Sequence, residues 1–297
     1  MRRVLCTLAL LCAVNALAQE RLVDYVNPFI GTDGFGNVYP GAQIPFGGIQ
    51  ISPDTDDFDY DVAAGYKYNR STIMGFSLTH LSGTGIPDLG DFLFVPGTAK
   101  ESRFSHERES ASPGYYSVDL LDFGVKAEMT AACRSGILRF TYPACDSSYV
   151  VIDLDHTLRW KCEWSSVRLL DEYTIIGSKV VAGWNPDRRV HFAARFSEPI
   201  KDFLILQEGK PVIYNTKRFR SSLEAWGRGL KACVKFPTRE GQQVVVKVAV
   251  SAVGTDGALK NLSEIEGLGF EEVRSRAEEL WEKELGKYEL DPSCDRS

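Results

Sequence analysis

The stretch QQVVVKVAV, residues Gln242–Val250, alternates with a period of two: Val244, Val246, Val248 and Val250 share one face, and Gln243, Val245, Lys247 and Ala249 the other. A helix would scatter these valines around its circumference, whereas a strand puts them all on one side. Runs of the same kind recur at YYSVDLL (115–121), VKAEMTAA (125–132), ILRFTYP (137–143), SYVVIDLD (148–155), YTIIGSKVVAGW (173–184), RVHFAARF (189–196), FLILQEG (203–209), PVIYN (211–215) and LKACVKF (230–236). Short turns rich in Gly, Pro, Asp or Ser separate them, and helical periodicity is scarce before residue 260. So many closely spaced strands predict an all-β fold, a large antiparallel β-sandwich.

The pattern changes near the end. In FEEVRSRAEELWEKELGKYEL, Phe270, Val273, Ala277, Leu280, Trp281, Leu285 and Tyr288 recur at helical spacing, and Glu271 and Glu272 suit the positive end of the helix dipole. This predicts a C-terminal amphipathic helix whose apolar stripe needs a partner, either the sandwich or a following segment. Left open around Trp281, the stripe would make the chain prone to aggregate.

At 297 residues, 44% hydrophobic and 25% charged, the chain is long enough to bury a sizeable core. Its formal charge of -6 and its lack of a basic block argue against nucleic acid as a partner. Arg2 and Arg3 precede an apolar run, Val4 to Val14, and small residues follow at Ala16 to Ala18. That is the layout of an export signal cleaved near Ala18. Cys12 raises a lipoprotein signal as the competitor, but Leu11 before it is too large for the usual lipobox. The run is also short of the ~20 apolar residues that span a bilayer. The expected organisation is residues 1–18 as signal peptide, 19–262 as sandwich and 263–297 as helical linker and tail, in a periplasmic or extracellular protein.

Beyond the signal, Cys133, Cys145, Cys162, Cys233 and Cys294 show no C-x-x-C spacing, which disfavours zinc and iron–sulfur sites. Buried free thiols are the preferred reading, with one disulfide as the alternative. The acidic run SPDTDDFDYD holds Asp54, Asp56, Asp57, Asp59 and Asp61 but fails the EF-hand pattern: its sixth position is Asp59 and its twelfth Gly65. A solvated loop is the simpler expectation. In VIDLDH, strand alternation would put Asp153 and Asp155 on one face, where they could share acid–base work or merely face water. Trp160 and Trp164, just beyond, could stack on a sugar or pack at a rim. No G-x-S-x-G elbow, H-E-x-x-H pair or phosphate-cradling loop is present.

Between Asn27 and Asp91 five short motifs follow one another: N-P-F-I-G-T, P-G-A-x-x-P-F-G, S-P-D-T, T-H-L-S-G-T-G and D-x-G-D. This ordered series resembles the N-terminal part of glycoside hydrolase family 92, the calcium-dependent exo-acting α-mannosidases. More weakly, VAGWNPDRRVHFAARFSEPI and the closing helix look similar too, extending the likeness from about Val23 to Tyr288. The resemblance implies a β-sandwich and a helical linker, followed in the complete enzyme by an (α/α)6 barrel expected to be absent from these residues. The barrel would carry the glutamate acid, the aspartate base and most of the Ca²⁺ environment; no Ca²⁺ is expected on this chain alone. An inverting glycosidase needs one protonated carboxyl and one carboxylate ~6.5–9.5 Å apart.

The chain departs from the family's wording at Phe35 and Asn37, where members often have histidines, at Leu78 and Thr79 before His80, and at Ile86 in place of a cysteine. His80 and Asp88 are the candidate sugar-binding residues, with Phe35 and Tyr39 as platforms. Gly83, Gly85 and Gly90 read as backbone requirements. The expected partner is an α-mannoside or other glycan, together with a separate barrel polypeptide if the enzyme is split. The expectation is an exported mannosidase domain forming one wall of a sugar pocket and inactive alone. A stand-alone carbohydrate-binding or interaction module, or a gene fragment without function, are the alternatives.

Overall fold

The structure, a computed structural model, describes residues 21–56, 62–212 and 224–288. The expected signal at 1–18, Asp57, Asp59, Asp61, residues 213–215 of PVIYN and Cys294 fall outside that set.

With strands numbered along the chain, the described residues build two large antiparallel sheets packed face to face. The seven-stranded sheet has the order β1 (Ser52–Asp54), β3 (Gly75–Ser77), β4 (Leu93–Val95), β10 (Cys145–Asp153), β17 (Leu230–Thr238), β14 (Asp202–Gln207) and β15 (Lys210–Pro211). The nine-stranded sheet has the order β16 (Glu224–Gly227), β11 (Lys161–Leu169), β12 (Thr174–Ala182), β13 (Arg188–Phe196), β18 (Gln242–Ser251), β9 (Ser135–Tyr142), β8 (Val125–Ala131), β7 (Tyr115–Leu120) and β6 (Glu109–Ser112). A small hairpin pairs β2 (Thr72–Ile73) with β5 (Ser102–Arg103). The β-sandwich expected from the alternation is what forms.

Val244, Val246, Val248 and Val250 of β18 all enter the core between the sheets. There they meet Val150 and Ile152 of β10 and Ala232, Val234 and Phe236 of β17. Each valine taken fully out of water contributes about 1.5–3 kcal/mol. A one-residue slip would turn the whole set outward, so burial fixes the register.

Two α-helices lie on the outer face of the nine-stranded sheet: α1 (Thr255–Leu262) over β18 and β13, and α2 (Phe270–Leu285) over β8 and β9. α1 has no counterpart in the periodicity reading. It is only eight residues long and carries Gly257 in its interior, where a Cβ would come within 2.5 Å of Ser251 Oγ. Close approach to β18 therefore demands the glycine that hides the helix.

The sandwich itself covers most of the α2 stripe. Phe270 and Val273 pack with Tyr115 and Ile137, and Ala277 lies against Gly114, where a Cβ would sit 2.6 Å away. The guanidinium of Arg139 lies 3.8 Å from the Phe270 ring centre, and that of Arg274 lies 3.8 Å from the Tyr115 ring centre. Trp281 Nε1 donates to the Gln43 carbonyl at 2.7 Å. The expectation of an open stripe around Trp281 is thus corrected: the helix folds back onto β8 and β9, and of its large apolar residues only Leu280 stays exposed.

The four cysteines within the described residues are free, but Cys133 and Cys145 are exposed, which corrects the expectation that the thiols are buried. Both fall at strand ends beside turns, whereas Cys162 lies among core residues and burial pushes its thiol up to about 11. Thiol labelling at pH 8 should modify Cys133 and Cys145 within minutes and reach Cys162 only after denaturant is added, read by mass spectrometry of peptides.

Candidate functional site

Several connections converge at one end of the sandwich. The β3–β4 loop runs from Leu78 to Phe92, the chain leaving β10 runs from Leu154 to Trp160, and the β12–β13 hairpin turns at 183–187. The glycine-rich segment 31–41 joins them through a hydrogen bond from Gly83 N to the Asn37 carbonyl at 2.6 Å.

Beneath these loops lie two carboxylates with no access to water. Asp54 sits between two histidines: His80 Nε2 lies 2.7 Å from Oδ1 and His156 Nε2 lies 2.8 Å from Oδ2. Burial opposes charge on Asp54, yet the two imidazoles hold its carboxyl well below the usual carboxylate range. The other nitrogen of His80 faces the Gln50 carbonyl at 2.9 Å. Each ring nitrogen of His80 thus has an oxygen within hydrogen-bond distance.

Asp91 is the second. Arg188 donates to both of its oxygens, at 2.6 and 2.9 Å, Thr79 Oγ1 donates to Oδ2 at 2.7 Å, and Lys179 Nζ lies 3.0 Å from Oδ1. Here too burial works against ionisation and the two cations override it, holding the carboxyl well below its ordinary range. Lys179 also donates to the His156 carbonyl, which joins the two centres.

The residues singled out in the sequence fare differently. The His80 side chain is fully buried within the Asp54 centre and tilts against the Tyr39 ring at 5.0 Å between centroids. Tyr39 donates to Gln43 Oε1 at 2.7 Å, and burial pushes its phenol up. Asp88 is buried: Oδ1 accepts from Leu89 N at 2.7 Å and Oδ2 from Trp184 N at 3.2 Å, so it fastens the β3–β4 loop to the β12–β13 hairpin. Phe35 stands apart, 86% exposed.

The Asp153 and Asp155 reading is corrected. β10 ends at Asp153, so the alternation does not extend to Asp155. Asp153 accepts from the amides of Asp155 and His156 and pairs with Lys231 at 2.7 Å, and Asp155 accepts from Gly229 N at 3.0 Å. Both carboxylates hold the turn. Asp54 is likewise not part of a solvated acidic loop. Trp160 is a rim residue whose Nε1 donates to the Pro87 carbonyl at 2.7 Å.

Sequence reasoning missed Asp54, His156, Lys179 and Arg188 as a group. Their partners lie 23 to 102 residues away along the chain, and no local spacing marks them. The one usable signal was Lys179, a charged residue at an inward position of an otherwise apolar strand.

Backbone geometry supports the loops. Leu89, Gly90 and Phe92 all adopt positive φ, and a Cβ on Gly90 would meet Leu158 N at 2.9 Å. At Gly65, with φ +85, a Cβ would stand 2.2 Å from Asp54 Oδ1. Trp184 and Phe35 remain exposed at the surface of this end, and Asn37 Oδ1 and Arg188 Nε are buried without a hydrogen-bond partner.

Three outcomes follow. Gly65→Ala should cost more than the ~1–3 kcal/mol of backbone strain alone, because it also pushes the Asp54 carboxylate off its histidines; urea unfolding reads this. Since the folded-state values of Asp54 and Asp91 are depressed, their stabilisation is fully present above the unfolded value of ~3.9 and is lost as pH falls below it. The urea midpoint should therefore decline from about pH 4 downward. Asp91→Asn, which leaves Lys179 and Arg188 without a counter-charge, should cost about 3–5 kcal/mol at pH 7 and flatten that acid limb.

Comparison with known proteins places this architecture. The family model described as the glycosyl hydrolase family 92 N-terminal domain matches residues 25–251. An uncharacterized secreted glycosidase of Arthroderma benhamiae is 29% identical over 96% of this chain and 41% of its own length. A family 92 alpha-mannosidase of Bacteroides thetaiotaomicron, solved with mannoimidazole, is 60% identical with a TM-score of 0.89, covering 92% of this chain and 38% of that one. An inverting mannosidase of the same organism shares the fold at 23% identity, with a TM-score of 0.77 over 93% of this chain and 38% of its own. The chain thus spans about two fifths of the length of these relatives. A β-sandwich whose loops, buried carboxylates and motif series coincide with that match belongs to glycoside hydrolase family 92, as its N-terminal domain.

Proposed function

We propose that this chain is the sandwich part of an exported mannosidase-like glycoside hydrolase, supplying one wall of a pocket for α-mannosides while the proton-handling carboxyl groups reside elsewhere. Residues 1–18 would be the removable export signal, 19–262 the sandwich and 263–297 the linker. Secretion of the Arthroderma benhamiae relative supports the export reading, and the bound mannoimidazole of the Bacteroides thetaiotaomicron relative supports a mannoside as ligand. The exposed rings of Trp184 and Phe35 offer stacking surfaces at the loop end.

One observation carries the inactivity of this wall alone. Every described carboxylate beneath or beside the loops that sequence or structure singles out is already engaged: Asp54 by two histidines, Asp91 by Lys179 and Arg188, Asp88 by two amides, Asp153 by Lys231, Asp155 by Gly229 N. A general acid must hold a proton and release it to the leaving oxygen, but Asp54 and Asp91 are held ionised and sealed from solvent. Loss of acid–base assistance by itself costs about 10²–10⁴-fold.

The residues at this end also fail to suit a calcium ion. Ca²⁺ takes 6–8 oxygen ligands, whereas the oxygens of Asp54 and Asp91 are committed to nitrogen donors and no cluster of metal-ligating side chains occurs among the described residues.

The purified chain, incubated with α-linked mannobiose and followed by chromatography of released mannose, should show no turnover above the buffer control. Release of mannose by the chain alone would overturn the assignment of acid and base to residues outside it.

A further inference from the structure

The outer face of the nine-stranded sheet is covered unevenly. α2 lies on β8 and β9, and α1 on β18, β13 and part of β12. Beyond α1, the outward residues of β11 and of the edge strand β16 remain open among the described residues. Val167 and Ala225 belong to the core, so by alternation Ser166, Arg168, Glu224 and Trp226 point away from it. Trp164 joins them because of a bulge. The register with β12 shifts between Cys162, which is buried, and Trp164, which the extra residue turns to the outside. Ser166 faces Trp226 across the ladder, which makes Trp164 and Trp226 diagonal neighbours on one face, within the reach of long side chains at ~7–8 Å. They are 41% and 64% exposed, and neither contributes to a core cluster.

We propose that this strip is a second carbohydrate-binding surface, on the outer face of the nine-stranded sheet rather than over the buried carboxylates, which holds an extended neutral oligosaccharide by stacking two sugar rings on Trp164 and Trp226. The flanking polar groups match a pyranose, which presents C–H bonds on its faces and hydroxyls around its edge. Ser166 and the Arg168–Glu224 pair, whose charged atoms are 3.8 Å apart, lie between and beside the indoles. The charges on the strip come in opposed pairs, Arg168 with Glu224 and Arg228 with Glu163, so nothing there selects an anionic or cationic ligand. A protein partner would be better served by a continuous apolar patch, whereas here each ring is bordered by hydrogen-bonding groups. The surface would tether the protein to polymeric glycan.

The choice of sugar as ligand rests on the glycan reading above, and the two fail separately. The full chain is run in native gels containing soluble α-mannan or a neutral β-glucan, with a sugar-free gel as reference. Retardation by at least one polymer is expected. Trp164→Ala and Trp226→Ala should each weaken it about threefold and the double substitution at least tenfold, with an unchanged melting temperature. Trp226→Tyr, which keeps a stacking face, should retain most of the binding. No retardation by either polymer, or retention in the double variant, overturns the proposal. Loss on Trp184→Ala alone places all binding at the loop end, which refutes the second surface and leaves the pocket wall standing. A concentration-dependent dimer in sedimentation that the double variant abolishes would make the strip a contact between two copies of the chain, and would also overturn it.

Discussion

The loop end of this protein is organised around Asp91, a carboxylate that never meets water. Its oxygens draw in Arg188 from the hairpin of the nine-stranded sheet, Lys179 from the interior of β12 and Thr79 from the β3–β4 loop. Through Lys179 and the His156 carbonyl the same network reaches Asp54 and its two histidines. A buried ion pair of this kind is weak evidence of net stability, because removing its charges from water is expensive. What it imposes is geometry. These bonds tie Thr79, His80, His156, Lys179 and Arg188 to two fixed points, which holds the loops together without a hydrophobic core of their own.

That constraint explains the backbone choices around it. Leu89, Gly90 and Phe92 accept left-handed conformations within four residues, a cost tolerated where surrounding contacts determine the path. Gly65 is required because a side chain there would collide with the Asp54 carboxylate. Asp88 completes the arrangement by capping Leu89 N and holding Trp184 N, which keeps the Trp184 ring at the surface. The result is a rigid floor of buried ion pairs below and the exposed Trp184 ring above.

The same logic separates holding from reacting. Carboxylates fully committed to cations and amides define positions, and those commitments remove the proton exchange that hydrolysis of a glycosidic bond requires. On the function proposed above, the sandwich of this family 92 member serves recognition. The bare strip carrying Trp164 and Trp226, on the face that the helices leave uncovered, extends the same division of labour to a second surface.

The fold was legible because strand alternation is a local signal. Val244 to Val250, and the runs through β7 to β10, β12 to β14 and β17, announce a buried face every second residue, and the ordered glycine-containing motifs before Asp91 point to the family. Local pattern also misled. Asp153 and Asp155 look like neighbours on one face until the strand is seen to end between them. α1 was hidden by a glycine that a neighbouring strand requires, and Asp54 looked like one member of a solvated acidic loop. The pairing of Asp91 with Lys179 and Arg188 joins residues from opposite sheets, and that of Asp54 with His80 and His156 joins distant segments of the seven-stranded sheet. Sequence supplies the charged groups but not the distances between them. Only strand pairing within the seven-stranded sheet, and for Asp91 the closing of two sheets over one core, brings those groups within hydrogen-bond range, and burial there, rather than residue type, decides that they hold the loops instead of meeting a ligand.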